Sequence, residues 1–166
     1  MFLRFAISLF VVFASVSAFA QDRGNVEVTI NAKRVVINYG RPALGGRDML
    51  SQAKPGTVWR LGMNEATEIE SAGTLVVAGK ELRPGRYSLW ARMIAPNTWV
   101  LAFHPRTGIW GAPELTSGYV AEIPLRVEKT PAPVERMTIN LRENAGQGVV
   151  SILWGGTQLS GAFGVR

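Results

Sequence analysis

Apolar and polar residues alternate along most of this chain from residue 26 onward. Val26, Val28 and Ile30 take every second position, and so do Val35, Ile37 and Tyr39, with Asn31-Ala32-Lys33 between the two runs. A period of two puts alternate side chains on opposite faces of an extended chain, so these runs predict a first hairpin. Residues 74–77 and 81–82, split by Ala78-Gly79-Lys80, predict a second. Arg83-Pro84-Gly85 is a turn, with Pro pre-set and Gly free to take positive φ. In 86–93, Tyr87, Leu89, Ala91 and Met93 face one side, while Arg86, Ser88, Trp90 and Arg92 face the other. After a turn at Pro96-Asn97, residues 98–104 direct Trp99, Leu101 and Phe103 inward. Residues 119–127 do the same with Ile123, Leu125 and Val127, and 135–142 with Met137, Ile139 and Leu141. Thr130-Pro131-Ala132-Pro133 is expected as a stiff connector and residues 144–148 as a hairpin loop. Residues 149–154 are apolar at both parities, which predicts a central strand, and 157–165 close the sheet after Gly155-Gly156. The pattern predicts about ten short strands, turn signals every eight to twelve residues and little helix. An all-β fold follows: an antiparallel β-sandwich, jelly-roll-like.

Two segments break the alternation. Residues 40–56 are rich in Gly and Pro, and 48–54 predict at most one helical turn. Long irregular segments in compact domains are more often functional, or ordered by packing, than random. This one leads into Val58-Trp59-Arg60-Leu61-Gly62-Met63-Asn64-Glu65-Ala66-Thr67, the densest mixture of aromatic, cation, carboxylate and amide in the sequence. Within it, Trp59, Leu61 and Met63 share one parity, opposite Arg60, Gly62 and Asn64. A second loop, 104–113, carries the only His, an Arg and Trp110.

The start of the chain has a different pattern. Arg4 precedes an almost wholly apolar run from Phe5 to Val16, and Ala18-Phe19-Ala20 is followed by Gln21-Asp22-Arg23. This is the form of a secretory signal peptide over residues 1–20, cleaved after Ala20. Residues 21–166 are then expected to be a single β-sandwich domain of an exported protein, periplasmic or secreted. No later run is long enough to span a membrane as a helix. The chain has no cysteine, which excludes thiol catalysis, thiolate metal sites and covalent haem attachment. Its formal charge is +6, with 18 Lys and Arg spread along the sequence. No run of them forms a nucleic-acid stripe, and the charge reads either as a plain soluble basic surface or as attraction to anionic ligands or an anionic envelope.

Several motifs together resemble a known family. Tyr39-Gly40-Arg41-Pro42, Gly46-Arg47 and the Trp59-Arg60-x-Gly62-x-Asn64-Glu65-Ala66-Thr67 string are similar to the signature of the exported bacterial proteins grouped as domain of unknown function 2911. Gly79-Lys80-x-Leu82-x-Pro84-Gly85-x-Tyr87-Ser88-Leu89, Trp99, Trp110-Gly111 and Leu153-Trp154 support it. The resemblance extends from about Val26 to Val165 and departs at Pro55-Gly56, where an aromatic-Gly pair is common in the family. It implies a secreted all-β domain and implies no activity.

The available chemistry is narrow. One His and no Cys do not make a transition-metal site, and Asp48, Glu65, Glu68 and Glu70 lack calcium-loop spacing. No cofactor fingerprint is present, and His104 has no nucleophile elbow to serve. What remains as candidate ligand-binding residues is Arg41, Arg47, Arg60, Asn64, Glu65, Trp90 and Trp110. Arg and Trp together suit a planar, polar or anionic ligand through bidentate hydrogen bonds and stacking. Trp59, Trp99 and Trp154 are expected in the core, with Trp110 and then Trp90 as exposed contacts. The reading is a non-enzymatic binding or envelope-associated module for a small polar, anionic or glycan-like ligand. One alternative is a glycan hydrolase using Glu65 with Glu114, Glu122 or Asp48 as the second carboxylate. Another is a structural domain in which Arg60 and Glu65 belong to an internal ion-pair clamp.

Overall fold

The computed structural model describes residues 23–110 and 115–166. The expected signal peptide and Glu114 lie outside the described residues. Ten strands are present: β1 (Arg23–Ile30), β2 (Lys33–Gly40), β3 (Val58–Trp59), β4 (Thr67–Ser71), β5 (Leu75–Val77), β6 (Lys80–Leu82), β7 (Gly85–Ala95), β8 (Thr98–His104), β9 (Ala121–Asn144) and β10 (Gln147–Val165). There is no helix among the described residues. The helical turn expected at 48–54 is a set of tight turns instead. Asp48 Oδ1 accepts from the Ser51 N–H at 3.1 Å, and Leu50 O accepts from the Ala53 N–H.

All ten strands belong to one antiparallel sheet in the order β1-β2-β4-β7-β8-β9-β10-β5-β6, with β3 added beside β7. Two strands are not short: β9 has 24 residues and β10 has 19. The start of β9 pairs with β8, its remainder pairs with β10, and the end of β10 pairs with β5. The expected connector at Thr130-Pro131-Ala132-Pro133 is therefore strand, not linker. Here the β9–β10 register slips on both sides of Gly155, whose φ is 59°. A slip lets proline sit in a long strand, because a proline has no N–H to give to the ladder.

The sheet curls until its first hairpin meets the second half of β9. Just past β2, Pro42 O accepts from the Met137 N–H at 3.0 Å and the Leu44 N–H donates to Glu135 O at 2.6 Å. The Tyr39 hydroxyl donates to Ile139 O. The enclosed core holds the apolar positions that the alternation predicts, including Ile37, Ile69, Leu89, Leu101, Phe103 and Ile139. Phe103 and Phe163 meet edge to face at 6.4 Å. Val127, expected inward, is 38% exposed.

Trp90 corrects another expectation. Its parity does place it opposite the main core, but it is only 2% exposed. It forms a second small cluster with Ala66, Ala102 and Ile109, beneath the loop that follows β8. Its indole N–H donates to Ser88 Oγ at 2.9 Å, and that hydroxyl donates to Arg106 O. The period of two marked this face correctly; a loop far along the chain covers it.

Three hairpins turn through left-handed pairs: Asn31-Ala32, Ala78-Gly79 and Ala145-Gly146. Only the first places a residue with a Cβ at the second position, at φ 60°. A left-handed L-residue costs about 1–2 kcal/mol, whereas Gly adopts this region freely and loses somewhat more chain entropy on folding. Ala32→Gly should therefore stabilise the protein by roughly 0.5–1 kcal/mol in urea unfolding; a net loss would contradict the turn geometry.

Candidate functional site

The Trp-Arg-x-Gly-x-Asn-Glu-Ala-Thr string folds into a compact loop between β3 and β4. Val58 and Trp59 pair with Arg92 and Ala91 of β7, and the chain then reverses through left-handed Leu61 and Asn64. Asn tolerates this backbone better than most residues, which accounts for an amide at position 64. Thr67 closes the loop. Its N–H donates to Arg60 O at 3.1 Å, and its hydroxyl makes a short hydrogen bond to Leu61 O. Gly40 and Gly62 let two backbones touch. A Cβ on Gly40 would lie 2.3 Å from Met63 O, and one on Gly62 would lie 3.0 Å from Gly40 O.

This loop holds Trp59 and Arg60 at one side of a cleft of about 330 Å³. Trp59 stacks on Trp154 of β10, with ring centroids 5.3 Å apart and planes 16° from parallel. The other wall comes from the segment after β2, with Leu44, Arg47 and Met49. That wall turns at Gly45 and Gly46, both at positive φ, and the Arg47 N–H donates back to Leu44 O at 3.0 Å. Met49 is 53% exposed. Trp154 is buried, and its indole N–H has no hydrogen-bond partner. A buried donor without an acceptor costs about 1–3 kcal/mol.

A larger concavity of about 480 Å³ lies beside Lys80, Tyr119 and Glu122. Two charges here match each other. Glu122 forms a close ion pair with Arg92, whose guanidinium lies 4.7 Å over the Tyr119 ring. Burial pushes the Tyr119 phenol above its ordinary range, against the pull of Arg92 and with a small contribution from Glu122. Arg92, Glu122 and Tyr119 hold one another; the smaller cleft is the one that gathers two of the candidate residues, Arg47 and Arg60.

A family described as protein of unknown function (DUF2911) matches residues 21–163. The chain belongs to the DUF2911 family. No curated protein and no solved structure matches it.

Within this DUF2911 domain the candidate residues separate. Arg47 and Arg60 meet at the cleft. Arg41 lies next to it and donates from Nε to Met137 O at 3.4 Å, a contact between β9 and the end of the first hairpin. Asn64 shapes the loop backbone. Glu65 pairs with Arg23 of β1 at 3.1 Å and bridges Trp110 through the backbone. Trp110 is 68% exposed, as expected, but does not line the cleft. Trp90, expected as a second exposed contact, is buried in the packing described above and is excluded from that role. Of the carboxylates considered beside Glu65, Glu122 is paired with Arg92, and Asp48 packs over Gly155 and holds the Ser51 N–H.

Trp59 and Trp154 form the floor that sequence reading assigned wholly to the core. Trp154 is indeed buried, but Trp59 is only half-buried. The available signal was Gly155-Gly156 directly after Trp154, a pair that marks a bulge rather than a plain strand.

The contact between Gly40 and the Met63 backbone predicts a mutational order. Gly40→Ala should cost about 2 kcal/mol or more in urea unfolding, because a methyl group would meet rigid backbone. Gly62→Ala should cost less, since its nearest contacts are at 3.0–3.3 Å. Equal stability of Gly40→Ala and the parent would contradict the close approach.

Proposed function

We propose that this domain is a non-enzymatic binding module of an exported protein, holding a small polar, anionic or glycan-like ligand in the cleft between Arg47 and Arg60. The observation that supports it is the convergence of two arginines on a stacked Trp59–Trp154 pair at a concavity of about 330 Å³. That volume falls at the small end of organic-ligand sites, roughly 300–1,000 Å³, and such sites combine an apolar lining with a few polar anchors. Arginine supplies planar, bidentate donors to an oxyanion, and aromatic residues supply apolar area.

A second reading is also favoured by a specific observation: Glu65 is held by Arg23 and the glycines of the motif pack backbone on backbone, as an internal clamp requires. One experiment separates the two. Thermal unfolding is followed for the parent, Arg60→Gln, Arg47→Gln and Glu65→Gln, each with a panel of small anions and glycans. On the binding reading, a ligand at a hundredfold excess over its Kd adds about 2.7 kcal/mol to the parent. That shift disappears in the two arginine variants and persists in Glu65→Gln. The Arg23–Glu65 pair is partly exposed, with side-chain exposures of 23% and 48%, so its loss should cost about 1 kcal/mol or less. A loss of several kcal/mol in Glu65→Gln, with no ligand shifting any protein, would favour the clamp and end the binding reading.

Export is part of the proposal. It rests on Arg4, the apolar run from Phe5 to Val16 and Ala18-Phe19-Ala20. Expressed with its full sequence in a bacterium, the protein should be recovered outside the cytoplasm with Gln21 at its N-terminus, as read by intact mass. Retention of Met1 in a cytoplasmic product would remove this part.

A further inference from the structure

Trp110 lines neither the cleft nor the concavity beside Lys80, and its indole is 68% exposed at the end of an anchored loop. We infer that Trp110, Glu65 and Arg23 form a separate platform that binds a ring of a neutral glycan chain, an extended polymer of pyranoses with equatorial hydroxyls. This goes beyond the cleft reading and does not depend on it.

The loop after β8 is tied down along its length. Ser88 Oγ donates to Arg106 O at 2.8 Å, and the Arg106 N–H donates to His104 Nδ1 at 3.0 Å. The Gly108 N–H donates to Glu68 Oε1 at 2.6 Å, and the Ala66 N–H donates to Ile109 O at 2.8 Å. Ile109 is buried in the cluster with Trp90. The backbone is thus held up to the residue before Trp110. A stiff aromatic side chain on a fixed backbone presents a large apolar area at little ordering cost, and tryptophan is among the residues that anchor binding surfaces.

Glu65 supplies the polar half. It stands directly opposite Trp110 in an isolated antiparallel bridge. Opposed residues of such a pair project to the same face, with Cβ atoms about 4.5–5.5 Å apart. The Glu65 carboxylate pairs with Arg23 at 3.1 Å and stays half-exposed. One ion pair exhausts neither group, since a carboxylate offers about four lone-pair sites and a guanidinium about five N–H donors. Acceptors and donors therefore lie beside an apolar plane, and the two charges cancel.

That combination matches a sugar ring. A pyranose with equatorial hydroxyls has C–H faces, which cover apolar area, and a rim of hydroxyls, which both donate and accept. Its face suits the indole and its rim suits Glu65 and Arg23. An anion would meet Glu65 and a cation would meet Arg23, so the pair favours neither sign. The exposed indole also leaves room for a chain to pass across it, whereas a closed pocket encloses a free molecule.

Cellohexaose and chitohexaose are titrated into the purified protein by calorimetry, with glucose and inorganic phosphate as comparisons. At least one hexasaccharide should bind, more tightly than glucose and without displacement by phosphate. Trp110→Ala should weaken it roughly tenfold or more, as removal of an aromatic anchor does. Its urea unfolding midpoint should match the parent, because the indole is exposed. Glu65→Gln should weaken binding less, since the amide keeps one acceptor. Arg47→Gln and Arg60→Gln should leave it unchanged. Loss in those two arginine variants, with full binding by Trp110→Ala, would move the glycan to the cleft and overturn this site while the cleft reading stands. Displacement by phosphate would overturn the neutral class. If neither hexasaccharide binds, the glycan platform fails whatever the cleft binds; self-association of the parent that Trp110→Ala abolishes would then assign Trp110 to a protein interface.

Discussion

The antiparallel ladder between β9 and β10 is the constraint on which the rest of this structure depends. These two strands supply pairing partners to β8 on one side and β5 on the other, both at the open end of their hairpin, so a single sheet continues around the core. Their register slips at Gly155, where the backbone takes a left-handed turn that a residue with a side chain adopts at a cost. The slip lies immediately after Trp154. It therefore bends the ladder at the point where Trp154 meets Trp59. A local irregularity in the longest strands thus sets the floor of the candidate site.

The family motif works mainly as a backbone device. Gly62 is small so that the loop can lie against Gly40, Asn64 turns the chain left-handed, and Thr67 ties the loop shut through two hydrogen bonds. Glu65 joins the loop to the first strand through Arg23. With this frame in place, Trp59, Arg60 and Gly62 of the string line the cleft. Positioning and recognition are consequently divided between residues that sit side by side in sequence. A chemically rich string need not be a site at every position, since buried loops need satisfied backbone groups as much as sites need side chains.

The electrostatics follow the same division. Several ion pairs, among them Arg34–Glu27, Arg86–Glu70 and Arg166–Glu81, are solvent-exposed. Glu27 is held below the usual carboxylate range by its hydrogen bond from Arg34, with desolvation opposing and their charges assisting, yet both groups are exposed and contribute little to stability. Arg92 and Glu122 match each other beside Tyr119. At the cleft, two arginines lie beside the stacked Trp59–Trp154 pair.

The sequence by itself determined the all-β class, the antiparallel hairpins and most inward-facing positions. These follow from a period of two and from turn residues, both of which act over a few neighbouring residues. The family was legible for the same reason: its motif is contiguous. Arg47 and Arg60 were identified as candidates by type, and Trp110 was identified as exposed. Tertiary structure decided the rest. Alternation shows that Trp90 lies on the second face of its strand, but not that the loop carrying Ile109 covers that face. Nor does it show that β9 continues through Pro131 and Pro133, because the compensating slip is in the partner strand. Trp59 and Trp154 meet, and Glu65 finds Arg23, through pairings between residues distant in the chain. Burial and partnership are set by what packs against a face, and that information resides in long-range contacts rather than in any local pattern.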